Sequence, residues 1–234
     1  MRKEEILNSY SSEVLKKYGV EFEKTPKSEE NLRTKILKTG TTTAGLICKD
    51  ALILGTDKRA SMGYFVASKT AEKLHEIKEH LWMTIAGGVA DALYLVDVLR
   101  AETMIYQLAH EGKPIQVKSA GKLLSNILYA NKMFPFQVGL MLGGVTEQEG
   151  PTLLSIGAYG SILPEKFCAV GSGQNFSYGV LEAKYKDNLT IEEGKEIIKK
   201  AVTSSIIRDM ASGNGIDLAV IKKEGPAERE FVPI

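Results

Sequence analysis

Residues 41–234 are expected to form an α+β domain, a four-layer αββα sandwich, and three observations predict it. Short apolar runs come in two blocks, each followed by two helical segments, and a last run follows the second helix pair. A doubly wound parallel sheet would alternate strand and helix one by one, so that architecture is excluded. The runs are also apolar on nearly every residue rather than on alternate ones. Each sheet must therefore be covered on both faces, which two mostly antiparallel sheets, stacked with a helix pair outside each, would achieve.

The elements follow in order. Residues 1–38 are rich in Lys and Glu, carry one amphipathic stretch (Leu7, Tyr10, Val14, Tyr18) and contain the breaker Thr25-Pro26-Lys27-Ser28, so a short helix and a linker are expected. Strands are expected at 41–48, 51–57, 61–67 and 81–86, with Lys49-Asp50 as a tight hairpin between the first two. Val89, Ala92, Leu93, Val96 and Leu99 mark one helix, and Val117, Ala120, Leu124 and Leu128 a second, by their three- and four-residue steps. Further strands are expected at 137–145, 152–158 and 166–171, a short helix at 176–184 and a long one at 191–210. Thr190 with Glu193 forms a capping-box signature at the start of the long helix. A strand at 216–221 closes the domain.

Composition excludes several functions. The chain has 234 residues, 44% hydrophobic and 25% charged, enough to bury one core. Thirty basic against 29 acidic residues leave a net charge of +1, which argues against a nucleic-acid or anionic-membrane partner. Apolar runs are too short to span a membrane, and the charged start lacks a signal-peptide core, so a cytoplasmic location is expected. Cys48 and Cys168 are too distant for a CxxC motif, and no disulfide or metal is expected. His75 and His80 lie five apart instead of the four that a zinc-binding helix requires. There is no GxSxG elbow, no phosphate-binding loop and no complete dinucleotide fingerprint around Gly171-Ser172-Gly173, and no cofactor is expected.

One constellation remains. Gly40-Thr41-Thr42-Thr43 stands where the polar leader meets the first core strand. By itself it also reads as β-branched residues opening a strand after a turn glycine. Asp57 ends an apolar run where a carboxylate would want a partner, or is an exposed turn acid. Asp209 continues the apolar stripe Ile198, Ala201, Val202, Ser205, with Ser212 three residues on; it is either a helix-end cap or part of a site.

Together with Thr41-Thr42-Thr43-Ala44-Gly45, Gly55-Thr56-Asp57-Lys58-Arg59, Lys73, Thr84-Ile85-Ala86-Gly87, Gly171-Ser172-Gly173 and Arg208-Asp209-Met210-Ala211-Ser212-Gly213, the chain resembles a catalytic β subunit of the proteasome core particle, of the archaeal type. The resemblance implies the sandwich fold of N-terminal-nucleophile hydrolases. It also implies that residues 1–40 are a propeptide cleaved between Gly40 and Thr41, leaving 41–234 as the catalytic domain. Thr41 would be the nucleophile, Asp57 and Lys73 its charge partners, Gly87 an oxyanion-hole donor, and Ser172, Asp209 and Ser212 a supporting hydrogen-bond network. The implied partners are proteasome α subunits and other β subunits in stacked heptameric rings, an AAA-type ATPase regulator, and unfolded protein substrates.

The chemistry suits these residues. A threonine hydroxyl needs a base, and no histidine is placed to serve. At pH 7 the neutral fraction of an α-amino group exceeds that of a lysine by about 10^2.6, so the freed amine of Thr41 is the better base. Lys73 as a cation would lower that amine's pKa, and Asp57 would hold the lysine. While Gly40 is attached the nitrogen is an amide, so the uncleaved chain is expected to be inactive; the leader helix is also expected to assist assembly. Family S1 positions map onto Ala60, Ala71, His75, Ile85, Val89 and Leu93, mostly apolar and without an acid, which predicts cleavage after large hydrophobic residues and poor cleavage after basic ones. Protonated His75 would admit some acidic P1 residues. The competing expectations are a non-catalytic β subunit that supports ring assembly, and a different N-terminal-nucleophile enzyme, either the simpler bacterial ATP-dependent protease or a small-molecule amidohydrolase.

Overall fold

The structure is a computed structural model that describes residues 40–234. The expected helix and linker within residues 1–38 lie outside the described residues.

Two five-stranded antiparallel sheets form the centre. The first has the order β10-β1-β2-β11-β12, built from β1 (Thr42–Ile47), β2 (Ala51–Asp57), β10 (Phe167–Gly171), β11 (Ile216–Lys222) and β12 (Glu228–Val232). The second, β5-β6-β7-β8-β9, contains β5 (Leu74–Lys78), β6 (Leu81–Gly87), β7 (Val138–Thr146), β8 (Gly150–Gly157) and β9 (Ile162–Pro164). Helices α1 (Val89–Ala109) and α2 (Val117–Ala130) cover the second sheet; α3 (Gln174–Lys184) and α4 (Ile191–Arg208) cover the first.

Three apolar layers separate the four structural ones. Leu52, Leu54, Trp82, Met141 and Leu153 fill the space between the sheets. Leu46, Ile53, Ile198 and Val202 pack beneath α3 and α4, while Met83, Leu95, Leu99, Leu124 and Leu142 pack beneath α1 and α2. Strand β2 contributes Leu52 and Leu54 to one face and Ile53 to the other, which is why its sequence does not alternate. The αββα sandwich expected from the run order is the fold observed.

The Lys49-Asp50 turn closes with the Cys48 N–H donating to the Ala51 carbonyl at 2.8 Å. The capping box is complete: Thr190 Oγ1 accepts from the Glu193 N–H at 3.2 Å, and the Glu193 carboxylate accepts from the Thr190 N–H at 2.9 Å.

Other expectations need correction. The strand expected at 61–67 is a hairpin of β3 (Ala60–Met62) and β4 (Phe65–Ser68), turned by Gly63 at φ +62°. Strands β5, β9 and β12 are additional to those expected. Strand β5 carries charges at Glu76 and Lys78, β9 ends in Pro164, and β12 reads Glu-Arg-Glu as a sheet edge, so none shows the apolar run on which the expectation rested. The long helix stops at Arg208, with Asp209 as its cap at φ −96°, ψ 111°, rather than continuing to residue 210. Among the described residues no helix is long and apolar enough to cross a membrane, and no group of three His, Cys, Asp or Glu side chains could hold a metal ion.

Candidate functional site

Thr41 stands at the foot of β1, between β10 on one side and β2 on the other, and is nearly buried. Its peptide link to Gly40 is intact in this structure, and the Thr41 hydroxyl donates to the Gly40 carbonyl oxygen at 2.7 Å. The Gly40 N–H donates to Ser61 Oγ at 2.9 Å. A Cβ on Gly40 would lie 1.7 Å from the Ala211 Cβ, so this approach of the chain to Thr41 requires glycine.

Antiparallel pairing sets Thr43 opposite Thr56, which brings the end of β2 beside Thr42. Asp57 is fully buried there. Its Oδ1 accepts from the Thr42 N–H at 2.9 Å and from Lys73 Nζ at 2.6 Å; its Oδ2 accepts from the N–H groups of Arg59 at 3.0 Å and Gly213 at 2.9 Å. Asp57 is therefore no exposed turn acid: its four hydrogen bonds resolve the problem of a carboxylate in an apolar run. Lys73, just before β5, is 5% exposed and also donates to the Arg59 carbonyl. Burial pushes the Lys73 ammonium below its usual range, and the attraction of Asp57 opposes that shift.

On the other side of Thr41, the Thr41 N–H donates to Ser172 Oγ at 3.1 Å. Ser172 and Ser212 both donate to Asp209 Oδ2, at 2.6 and 2.7 Å, and Ser212 Oγ lies 2.7 Å from Thr42 Oγ1. Asp209 thus combines both alternatives left open by its sequence position, since it caps α4 and joins the hydrogen-bond network at Thr41. Gly171, at φ +112°, and Gly173 let β10 turn against the threonines: a Cβ would lie 2.1 Å from the Thr41 carbonyl oxygen in one case and 2.1 Å from Thr42 Oγ1 in the other.

Thr41, Lys73 and Gly87 share a cavity of about 450 Å³. Gly87 ends β6 at φ +101°, where a Cβ would meet the Gln137 carbonyl oxygen at 2.2 Å. All six residues expected to form the side-chain pocket, Ala60, Ala71, His75, Ile85, Val89 and Leu93, line this same cavity. His75 is nearly buried, its Nε2 has no hydrogen-bond partner among the described residues, and burial lowers its pKa below the usual range for histidine. Another hollow, of about 510 Å³, runs along α3 and α4 and includes none of these residues.

Sequence reasoning missed several contributors. Ser68 and Glu72 also line the cavity, so the expectation of a pocket without an acid is corrected. The Glu72 carboxylate accepts from Arg229 Nη1 at 2.7 Å, which ties the cavity wall to β12. Arg59 shapes the 209–214 turn by donating to the Met210 carbonyl at 2.8 Å and to Asn214 Oδ1 at 2.9 Å. Ser205 braces Gly173 by donating to its carbonyl at 2.8 Å. Arg59, within a motif already noted, and Ser205, on the stripe that leads to Asp209, carried a local sequence signal; Ser68 and Glu72 carried none.

A family model described as Proteasome subunit matches residues 37–221. A proteasome subunit beta from Methanocaldococcus vulcanius is 49% identical over 187 residues, 80% of this chain and 83% of the relative. Proteasome subunit beta 2 from Aeropyrum pernix is 42% identical over 202 residues, covering 86% and 90%. Proteasome subunit beta 2 from Nitrosopumilus maritimus is 40% identical over 195 residues, covering 83% and 91%.

Proposed function

The chain belongs to the proteasome subunit family, among its beta subunits, and on that premise we propose that it is a threonine endopeptidase whose nucleophile is Thr41. Membership implies assembly into the proteasome core with other subunits. The observation that carries the catalytic reading is the convergence on Thr41: the Ser172–Asp209–Ser212 network on one side, and on the other a cavity shared with Lys73, which is ion-paired to the buried Asp57.

Residues 1–40 are a propeptide in this reading. The Thr41 hydroxyl adds to the Gly40 carbonyl carbon, the Gly40–Thr41 C–N bond breaks, and the nitrogen takes a proton, leaving an ester between Gly40 and Thr41 Oγ1. That step frees the α-amino group; water then hydrolyses the ester, freeing the Thr41 hydroxyl and leaving the leader with a carboxylate at Gly40. The 2.7 Å contact between Thr41 Oγ1 and the Gly40 carbonyl keeps these groups together before cleavage.

In the mature chain the α-amino group is the base that takes the hydroxyl proton, directly or through a water, as the threonine attacks a substrate carbonyl. Lys73 favours the neutral amine and stabilises negative charge near the hydroxyl, while Asp57 fixes the lysine. Gly87, at the cavity wall, supplies backbone stabilisation for the tetrahedral oxyanion. The amine then returns the proton to the leaving nitrogen, and water hydrolyses the acyl ester.

The cavity beside Thr41 is the S1 pocket in this account. Ile85, Val89 and Leu93 favour large hydrophobic P1 residues. Particle partners are α subunits and further β subunits in stacked heptameric rings, with an AAA-type ATPase delivering unfolded proteins in the cytoplasm. Fluorogenic peptides with Leu, Tyr, Arg or Glu at P1 test the reading on the assembled particle. Hydrolysis after Leu and Tyr that disappears in Thr41→Ala supports it; hydrolysis that persists in Thr41→Ala overturns the nucleophile, and a preference for Arg overturns the specificity.

A further inference from the structure

We infer that Arg229, on the edge strand β12, sets the charge selectivity of the cavity beside Thr41 by occupying the Glu72 carboxylate. The inference rests on the reading of that cavity as the P1 pocket. It adds a specificity-determining pair that the six expected pocket positions do not include.

Glu72 is the one carboxylate among the described residues that line the cavity. Its ion-pair partner there is Arg229, whose Nη1 lies 2.7 Å from Glu72 Oε1. The hydrogen bond from Arg229 also holds the Glu72 carboxyl below the usual carboxylate range, so it stays ionised at neutral pH. The other nitrogen, Nη2, donates to Asp217 Oδ2 at 3.0 Å. Asp217 is buried on β11, next to β12 in the sheet, so it acts as a fixed anchor that aims the guanidinium at Glu72.

The consequence is electrostatic. With Arg229 in place, a lysine or arginine at P1 meets a neutralised acid and a neighbouring guanidinium. Without it, the same substrate cation meets an unpaired carboxylate. Basic P1 residues are therefore rejected by a salt bridge that withholds an available acid, not simply by an apolar lining.

The architecture makes the pair separable from the fold. Asp217 keeps a second cation, Lys58 Nζ at 2.9 Å, when Arg229 is replaced. The Glu72 side chain is 53% exposed, so losing Arg229 does not strand a buried charge.

The experiment compares kcat/KM for peptides with Arg and Leu at P1, using the assembled, processed particle. Arg229→Gln is expected to raise the Arg-to-Leu ratio about fivefold, the upper range for a partly exposed charge pair. Arg229→Lys, which keeps the cation, and the double variant Arg229→Gln/Glu72→Gln, which removes the acid, are expected to keep the wild-type ratio. Glu72→Asp withdraws the carboxylate from Arg229 by one methylene without altering β12, and it should shift the ratio in the same direction as Arg229→Gln. An unchanged ratio in Arg229→Gln or Glu72→Asp while Leu cleavage proceeds normally overturns the inference and leaves the peptidase reading standing. A raised ratio that survives in the double variant also overturns it, because the acid would not be its cause. Absence of Leu cleavage in the wild-type particle overturns the peptidase reading, and this inference with it.

Discussion

Replacing Lys73 with methionine separates the electrostatic part of this account from its packing. The substitution keeps the length of the side chain but leaves the Asp57 carboxylate, fully buried, without a counter-charge. Removing one member of a buried ion pair costs about 3–5 kcal/mol. Asp57 retains the N–H groups of Thr42, Arg59 and Gly213, which places the expected loss near the lower end, about 3 kcal/mol. At about 2.1 cal/mol/K per residue over roughly 195 folded residues, the unfolding entropy is ~0.4 kcal/mol/K, so Tm should fall by about 7 °C. The full-length chain carrying Thr41→Ala is the proper background, since it retains the Gly40–Thr41 link present in this structure. In processed particles Lys73→Met should lose at least about a hundredfold in kcat, since no cation remains beside Thr41. A Tm shift under about 2 °C for Lys73→Met would refute the reasoning.

Two other perturbations probe the neighbouring contacts. Gly40→Ala places a methyl group against Ala211, so leader removal should slow by at least about tenfold, and Ala211→Gly should partly restore it; an unchanged rate by gel shift would show that the contact does not govern processing. Burial favours neutral His75 in the folded chain, so the unfolded chain binds more protons between the lowered folded pKa and its ordinary 6.5. The contribution of His75 is thus fully present above pH 6.5 and is lost as pH falls through the folded pKa, so urea midpoints should drop between pH 7.5 and 5.5. His75→Gln should flatten that drop, with His80, shifted the same way, accounting for part of the remainder; an identical pH slope in the variant would contradict the assignment.

The layer order was legible because both sheets are buried on both faces, so their strands are written as apolar runs such as 51–54 and 138–142. The strands that escaped notice are those with other reasons to be strands. In β12, Glu228 and Glu230 face lysines from α4, and only pairing with β11 makes the segment extended. In the site, Asp57 drew attention because an acid ending an apolar run demands partners. The family resemblance pointed to Lys73, and the sequence could not reveal the other partners. Three of the four are backbone N–H groups, two of them from Thr42 and Gly213, which carry no side-chain signature. The same limit applies to Glu72 and Arg229, which stand 157 residues apart and meet only because β12 pairs at the sheet edge.

The most direct test of the central claim is the intact mass of this chain isolated from the particle formed with an α-type subunit, beside a Thr41→Ala control. The account predicts that the wild-type chain loses residues 1–40 and begins with a free Thr41, while the control keeps its leader. An assembled particle in which the wild-type chain remains full length, or in which the control is cleaved at the same bond, would contradict it.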